Sequence, residues 1–192
     1  MRFKRSIIAT ALVLPLVAGA IALTSGSGST TAPQPEQQRY APVWHHHPTS
    51  VNEAVDLAAV VVTATVINVR RAPDIVVPAE AEPGGVDRIA TEAVTVRTTE
   101  VFKGTAPRVL TVFRTGGTGI TVEGEPGYRV GQQYVLMLSG QRADGRWVLV
   151  SPEGRYQLRA GKVYAVSTVP GVATVNGRSY EQFRSTVTAA VS

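Results

Sequence analysis

From residue 51 to the C-terminus, short apolar runs alternate with turns marked by glycine and proline. Val51, Ala54, Val55 and Ala58 recur at i, i+3, i+4 and i+7, the spacing of one helix face. Ser50-Val51-Asn52-Glu53 has the form of a capping box, with the Ser50 hydroxyl accepting from the Glu53 amide and the Glu53 side chain reaching back to the Ser50 amide. A short helix is predicted there. Residues 59–69 then turn β-branched (Val60, Val61, Val62, Val66, Ile67, Val69), which predicts a strand buried on both faces at its start. Residues 71–90 are broken by Pro73, Pro78, Pro83, Gly84 and Gly85 and read as a long loop, a functional or disordered feature in a compact domain.

Period-2 alternation returns over residues 91–102, with Ala93, Thr95, Arg97 and Thr99 on one side and Val94, Val96, Thr98 and Glu100 on the other. Lys103-Gly104-Thr105-Ala106-Pro107 reads as a turn in which Gly104 permits the backbone and Lys103 is a solvated flank. Val109, Thr111 and Phe113 open the next strand, which stops at Gly116-Gly117. Residues 118–131 read as a glycine-rich loop with a short strand near 119–122. Residues 133–138 and 147–150 flank Ala143-Asp144-Gly145, a hairpin signal in which Asp-Gly suits a type I′ turn. A second hairpin, 156–159 with 162–166, surrounds Ala160-Gly161. Ser179-Tyr180-Glu181-Gln182 is another capping box, and Phe183, Val187, Ala190 and Val191 continue at helical spacing. The sum is six or seven short strands between a short N-terminal helix and a C-terminal helix: a mainly β domain, built as an antiparallel barrel or sandwich. A barrel has the advantage of leaving no open strand edges.

The first fifty residues follow other rules. Arg2, Lys4 and Arg5 precede an apolar run over residues 7–23, and Ala18-Gly19-Ala20 has the small-x-small form of a signal-peptidase site. Cleavage after Ala20 is the preferred reading; an uncleaved anchor is the competing one, the run lying at the short limit of the roughly 17–25 residues that cross a bilayer. Both place the rest of the chain outside the cytoplasmic membrane, with membrane contact only through residues 7–23 if the signal stays. Residues 24–50, rich in Ser, Gly, Thr, Pro and Gln, read as a flexible linker. The expected organisation is a signal peptide or anchor over 1–23, a linker over 24–50 and a single β-barrel domain over 51–192.

Composition narrows the chemistry. The chain has no cysteine, which excludes disulfides, thiolate metal sites and cysteine catalysis. The formal charge of +5 shrinks over residues 51–192, which carry 15 basic and 13 acidic side chains without a like-charge block. No nucleic-acid partner is expected from that distribution. The three histidines, His45, His46 and His47, are consecutive. Neighbours in an extended chain point to opposite sides and make no preformed pocket, so no metal site is assigned. Trp44 beside them is expected to cap the domain's hydrophobic surface.

A catalytic reading finds little support. The histidines lie in the linker, away from any serine of the domain. Glu123 and Glu125 are the closest carboxylates in a loop and read as solvated surface. Gly116-Gly117-Thr118-Gly119 lacks the lysine and following helix of a phosphate loop. Tyr128, Tyr134, Trp147, Tyr156 and Tyr164 read as strand packing. No catalytic, cofactor-binding or metal-ligating residue is assigned, and no cofactor.

One run of segments resembles known domains. Asp56-Leu57-Ala58-Ala59-Val60-Val61-Val62-Thr63-Ala64-Thr65-Val66 comes first, then residues 91–101, Phe102-Lys103-Gly104, and Gly-Gln-Gln-Tyr-Val-Leu-Met-Leu over residues 131–138. This order resembles exported bacterial domains similar to tissue inhibitors of metalloproteinases and netrin-like modules. The resemblance implies an OB-type barrel. Those inhibitors act through an N-terminal cysteine and a disulfide framework, so no inhibitory residue carries over to this chain. The function expected is a non-enzymatic interaction module in or outside the cell envelope, with an extracytoplasmic protein or envelope polymer as partner and residues 71–90 and 115–129 as contact loops. A secreted protease inhibitor and an envelope hydrolase acting through Glu123 and Glu125 are the alternatives.

Overall fold

A computed structural model describes residues 38–40, 44, 46–79, 84–117, 120–122 and 124–192. The export segment, most of the linker, His45 and Glu123 lie outside the described residues. No helix among those described is long and apolar enough to cross a membrane. The residues from Glu36 onward form one compact unit.

The elements in chain order are β1 (Gln38–Tyr40), α1 (Val51–Leu57), β2 (Val60–Pro78), β3 (Val86–Lys103), β4 (Val109–Thr115), β5 (Ile120–Val122), β6 (Gln133–Gln141) and β7 (Trp147–Leu149). A 3-10 turn (Pro152–Gly154), β8 (Arg155–Arg159), β9 (Lys162–Ala165), α2 (Pro170–Ala173) and α3 (Tyr180–Val191) complete the domain. The main sheet runs β2-β3-β4-β7-β6-β8-β9, and a further pairing of β2 with β6 closes its first five strands into a ring. All pairings in this sheet are antiparallel except β4 with β7, which meet in parallel at Val112 and Trp147. The domain is the expected mainly β, OB-like barrel with a short helix before it and a helix after it. Within the expected linker, Gln38–Tyr40 form β1, which pairs in parallel with β5.

Pattern explains why the ring closes. Along the start of β2 every residue from Val60 to Ala64 is buried. Val60, Val62 and Ala64 face the barrel interior with Val94, Val112 and Leu136. Val61 faces the other way, into a second core where Val135, Met137 and Tyr156 meet Val55, Phe183 and Val187 of α1 and α3. A β-branched run with no polar alternation is what a two-sided strand requires. Register shifts at Val61/Val62, Thr63/Ala64 and Val66/Asn68 bend β2 so that it can pair with β3 and β6 at once.

Four sequence readings need correction. Residues 71–78 and 86–90 are not loop: β2 and β3 are 19 and 18 residues long and stay paired as far as Pro78 and Val86, and residues 80–83 lie outside the described residues. The strands are therefore not all short. Pro73 is tolerated because it sits in the register shift between Ala72 and Ile75, where no ladder amide is needed, and its carbonyl accepts from Thr91 Oγ1 at 2.8 Å.

Lys103 is not a solvated flank. Its Nζ donates to the carbonyls of Val55 (2.8 Å) and Asp56 (3.2 Å) in the last turn of α1, the first of which also accepts from the Ala58 amide (3.2 Å). Gly104 does supply the turn, at φ +71°, and also lets the backbone pass close to the Ala59 carbonyl.

The Asp144-Gly145 hairpin is a three-residue turn with Gly145 alone at positive φ (+78°), closed by the Arg142 amide donating to Arg146 O (2.8 Å). The type I′ geometry occurs instead at Ala160 (φ +49°) and Gly161 (φ +72°). Finally, the capping box at α1 is half formed. Ser50 Oγ accepts from the Glu53 amide, but the Glu53 carboxylate accepts from Thr49 N (2.7 Å) and Oγ1 (2.9 Å). The box at α3 is complete.

Candidate functional site

A groove of about 660 Å³ lies on the outer face of the barrel. Its walls come from two protrusions. One is the β2–β3 ribbon, contributing Arg70, Asp74 and Ile75; the other is the β6–β7 hairpin, contributing Arg142, Asp144, Arg146 and Trp147. Val109 and Thr111 of β4 line the floor between them. Side chains alternate along β4, so Leu110 and Val112 fill the interior while Val109, Thr111 and Phe113 look outward.

The hairpin wall is preorganised. Arg146 donates to Asp144 through Nε (3.0 Å), Nη2 (2.6 Å) and its own amide (3.0 Å), and Arg142 Nε lies 3.5 Å from the same carboxylate. The Arg146 hydrogen bonds, side chain before backbone, hold the Asp144 carboxyl well below its usual range, so it stays charged. Both guanidinium groups lie against the Phe113 ring, with their central carbons 4.3 and 5.0 Å from its centroid. On the opposite wall Arg71 pairs with Asp74 at 3.0 Å. Arg70 is exposed and has no ion pair among the described residues. The lining offers cationic edges, an aromatic edge at Trp147 and apolar floor. It holds no histidine, serine, cysteine or lysine; its carboxylates, Asp74 and Asp144, are both paired with arginine, and its one hydroxyl is that of Thr111.

A second constellation lies inside the barrel at one end. Arg114 on β4 donates through Nη1 to Glu92 Oε2 (2.7 Å) and through Nη2 to the Glu125 carbonyl (2.9 Å). Arg155 on β8, opposite Leu136 in register, donates to the Pro126 carbonyl and lies 4.2 Å from the Tyr128 ring centroid. Tyr128 meets Tyr134 edge to face at 5.1 Å. Glu125 is only 2 % exposed, so its reading as a solvated acid fails.

A smaller cleft of about 290 Å³ beside α3 is crossed by Tyr180, whose hydroxyl donates to Glu100 Oε2 (2.7 Å) and bonds Thr63 Oγ1 (2.7 Å). Arg184 Nε donates to the other Glu100 oxygen at 2.7 Å, fastening α3 to β3.

The other singled-out residues divide. Tyr134 and Tyr156 are buried strand residues as expected; Tyr128 is equally buried but on a loop. Trp147 and Tyr164 are half-buried, and Trp147 lines the groove. His46 and His47 are exposed, and Trp44 is half-buried. Among the described residues no three His, Cys, Asp or Glu side chains are grouped to hold a metal ion. Of the two expected contact loops, the base of 71–90 lines the groove, whereas Val122, Glu125 and Tyr128 of 115–129 are buried at the barrel end. Arg70, Arg142 and Arg146 carried no signal in the sequence, where each is one arginine among many. No protein-family model matches the chain, and no curated protein matches it.

Proposed function

We propose that this chain is an exported, non-enzymatic interaction module that holds an extended segment of its partner in the groove between the β2–β3 ribbon and the β6–β7 hairpin. The observation that carries this reading is the position of the groove. In the ring order β2-β3-β4-β7-β6, the floor belongs to the second and third barrel strands. The walls are the connection between the first and second strands and that between the fourth and fifth. OB-type barrels bind oligomeric ligands on that face, between those connections. The chemistry of the lining supports binding over catalysis: guanidinium groups fixed on an aromatic ring, the exposed Arg70, one tryptophan edge, and carboxylates already tied to arginine. Export is supported by the basic n-region, the apolar run and Ala18-Gly19-Ala20. The partner is an extracytoplasmic protein or envelope polymer. Glu125, buried behind its own loop, is out of reach of a polymeric substrate, which disfavours the hydrolase reading.

The test is comparative capture. The immobilised chain and its Arg70→Ala/Trp147→Ala variant are exposed to envelope fragments and culture fluid of the producing cell. The proposal expects saturable retention by the parent chain and at least tenfold weaker retention by the variant. Equal retention by the two places the contact elsewhere and rejects the groove.

A further inference from the structure

The floor of the groove ends in a strand edge that no described strand covers. β4 pairs with β3 from Val109 to Thr115, but with β7 at Val112 alone. β7 begins at Trp147 and runs parallel to β4, and the residues before it turn away into the hairpin closed by Arg142 and Arg146. The stretch Val109–Thr111 is therefore left with one described neighbour, β3. Thr98 N donates to Arg108 O at 2.9 Å, which fixes the alternation of backbone groups along β4. Leu110 and Val112 turn their amides to β3, and Val109 and Thr111 turn theirs to the uncovered edge. The Val109 side chain beside that edge is 47 % exposed. The edge of the β2–β3 ribbon is a poorer template, because Pro73 and its register shift interrupt the row of amides.

The surroundings are cationic. Asp74 is paired with Arg71, and Asp144 with Arg146. Arg97 lies opposite Val109 in register and on the outward face of β3, since Val94 and Val96 fill the interior. Like Arg70, it is exposed and makes no ion pair among the described residues. Arg142 shares the Asp144 carboxylate with Arg146 and leaves a further excess of positive charge on the hairpin wall.

We propose that the occupant of the groove is an acidic segment of a partner protein that adds a strand to β4 at Val109–Thr111, in the sheet position that β7 takes from Val112 onward. The inference rests on the groove being the binding site and names what fills it. A strand edge selects a polypeptide, whose own amides and carbonyls continue the ladder; a sugar or phosphate polymer has no such row. Side chains of an added strand alternate between faces. The outward ones meet Arg70, Arg97 and Arg142 and are acidic; the others turn toward Leu110 and are apolar. The open edge spans three residues, about 10 Å, so backbone bonding sets the register while the arginines select the charge.

Nuclear magnetic resonance titration of the full chain with a short peptide alternating glutamate and valine tests this. The amides of Val109 and Thr111 should gain about tenfold protection from hydrogen exchange, with that of Leu110, already turned to β3, unchanged. Methylating the peptide's nitrogens at alternate residues should abolish binding in one phase and spare it in the other. Arg97→Glu should weaken the peptide by about tenfold without altering urea unfolding. Equal binding in both methylation phases, no gain at Val109 and Thr111, or preference for poly(glycerol phosphate) over the peptide would each overturn the added strand. Material captured from the producing cell through Arg70 and Trp147, with no peptide bound, would remove the polypeptide strand and keep the groove. Peptide bound equally by the parent chain and the Arg70→Ala/Trp147→Ala variant would remove both.

Discussion

Gly104 and Gly161 offer a controlled comparison of backbone freedom against close approach. Their φ angles are +71° and +72°, so a side chain at either costs the left-handed region, about 1–2 kcal/mol. Their surroundings differ. A Cβ at Gly161 meets nothing within 4 Å, whereas at Gly104 it falls 2.3 Å from the Ala59 carbonyl oxygen and 3.0 Å from Val60 Cγ2. The first obstacle is backbone at the entrance to β2, which cannot turn aside as a flexible side chain would. Ala59 N also donates to Leu138 O at 2.8 Å, tying that backbone to the barrel. Forcing it apart adds an overpacking cost of about 1–3 kcal/mol. Gly161→Ala should therefore lose about 1–2 kcal/mol and Gly104→Ala about 2–5 kcal/mol. Urea unfolding followed by far-UV circular dichroism measures both, provided the slopes match that of the parent chain. Losses equal to within about 0.5 kcal/mol would refute the claim that the β3–β4 turn is wedged against the start of β2.

Other changes test other joints. Ala160 holds φ +49°, so Ala160→Gly should stabilise by about 1 kcal/mol and raise the melting temperature by about 3 °C; a lower melting temperature would contradict the type I′ assignment. Lys103→Met removes both bonds to the end of α1 and should cost about 1–2 kcal/mol, whereas a solvated flank would cost nothing measurable in the same urea experiment. Tyr180→Phe leaves Glu100 with Arg184 alone and should cost about 1 kcal/mol, with hydrogen exchange in α3 accelerating before that of the barrel strands; unchanged exchange would count against the α3 fastening.

Much of the fold was legible because each element carries its own local reason. The valine run from Val60 predicts a strand buried on both sides, and it lies between two cores. The spacing of Phe183 and Val187 after a complete capping box predicts α3, and both are fully buried. The readings that failed depend on context that no short window holds. Pro73 and Pro78 resemble loop punctuation, but a ribbon with free edges accepts proline at a register shift and at a strand end. Lys103 looks solvated until α1 is folded back beside it. Glu125 looks like a loop acid because the groups that enclose it come from β3, β4 and β8, which only barrel closure brings together. The groove was legible in half: the ribbon side is marked by length and proline, while Arg142, Arg146 and Trp147 resemble ordinary hairpin residues until Phe113 is placed beneath the two guanidinium groups.

The groove is the centre of this account, and site-directed photo-crosslinking in the producing cell tests it most directly. A photoreactive residue replaces Thr111 on the groove floor in one strain and Thr174, exposed after α2, in another. The account predicts a partner adduct from Thr111, abolished by the Arg70→Ala/Trp147→Ala change, and none from Thr174. Adducts from Thr174 alone, or adducts from Thr111 indifferent to Arg70 and Trp147, would contradict it.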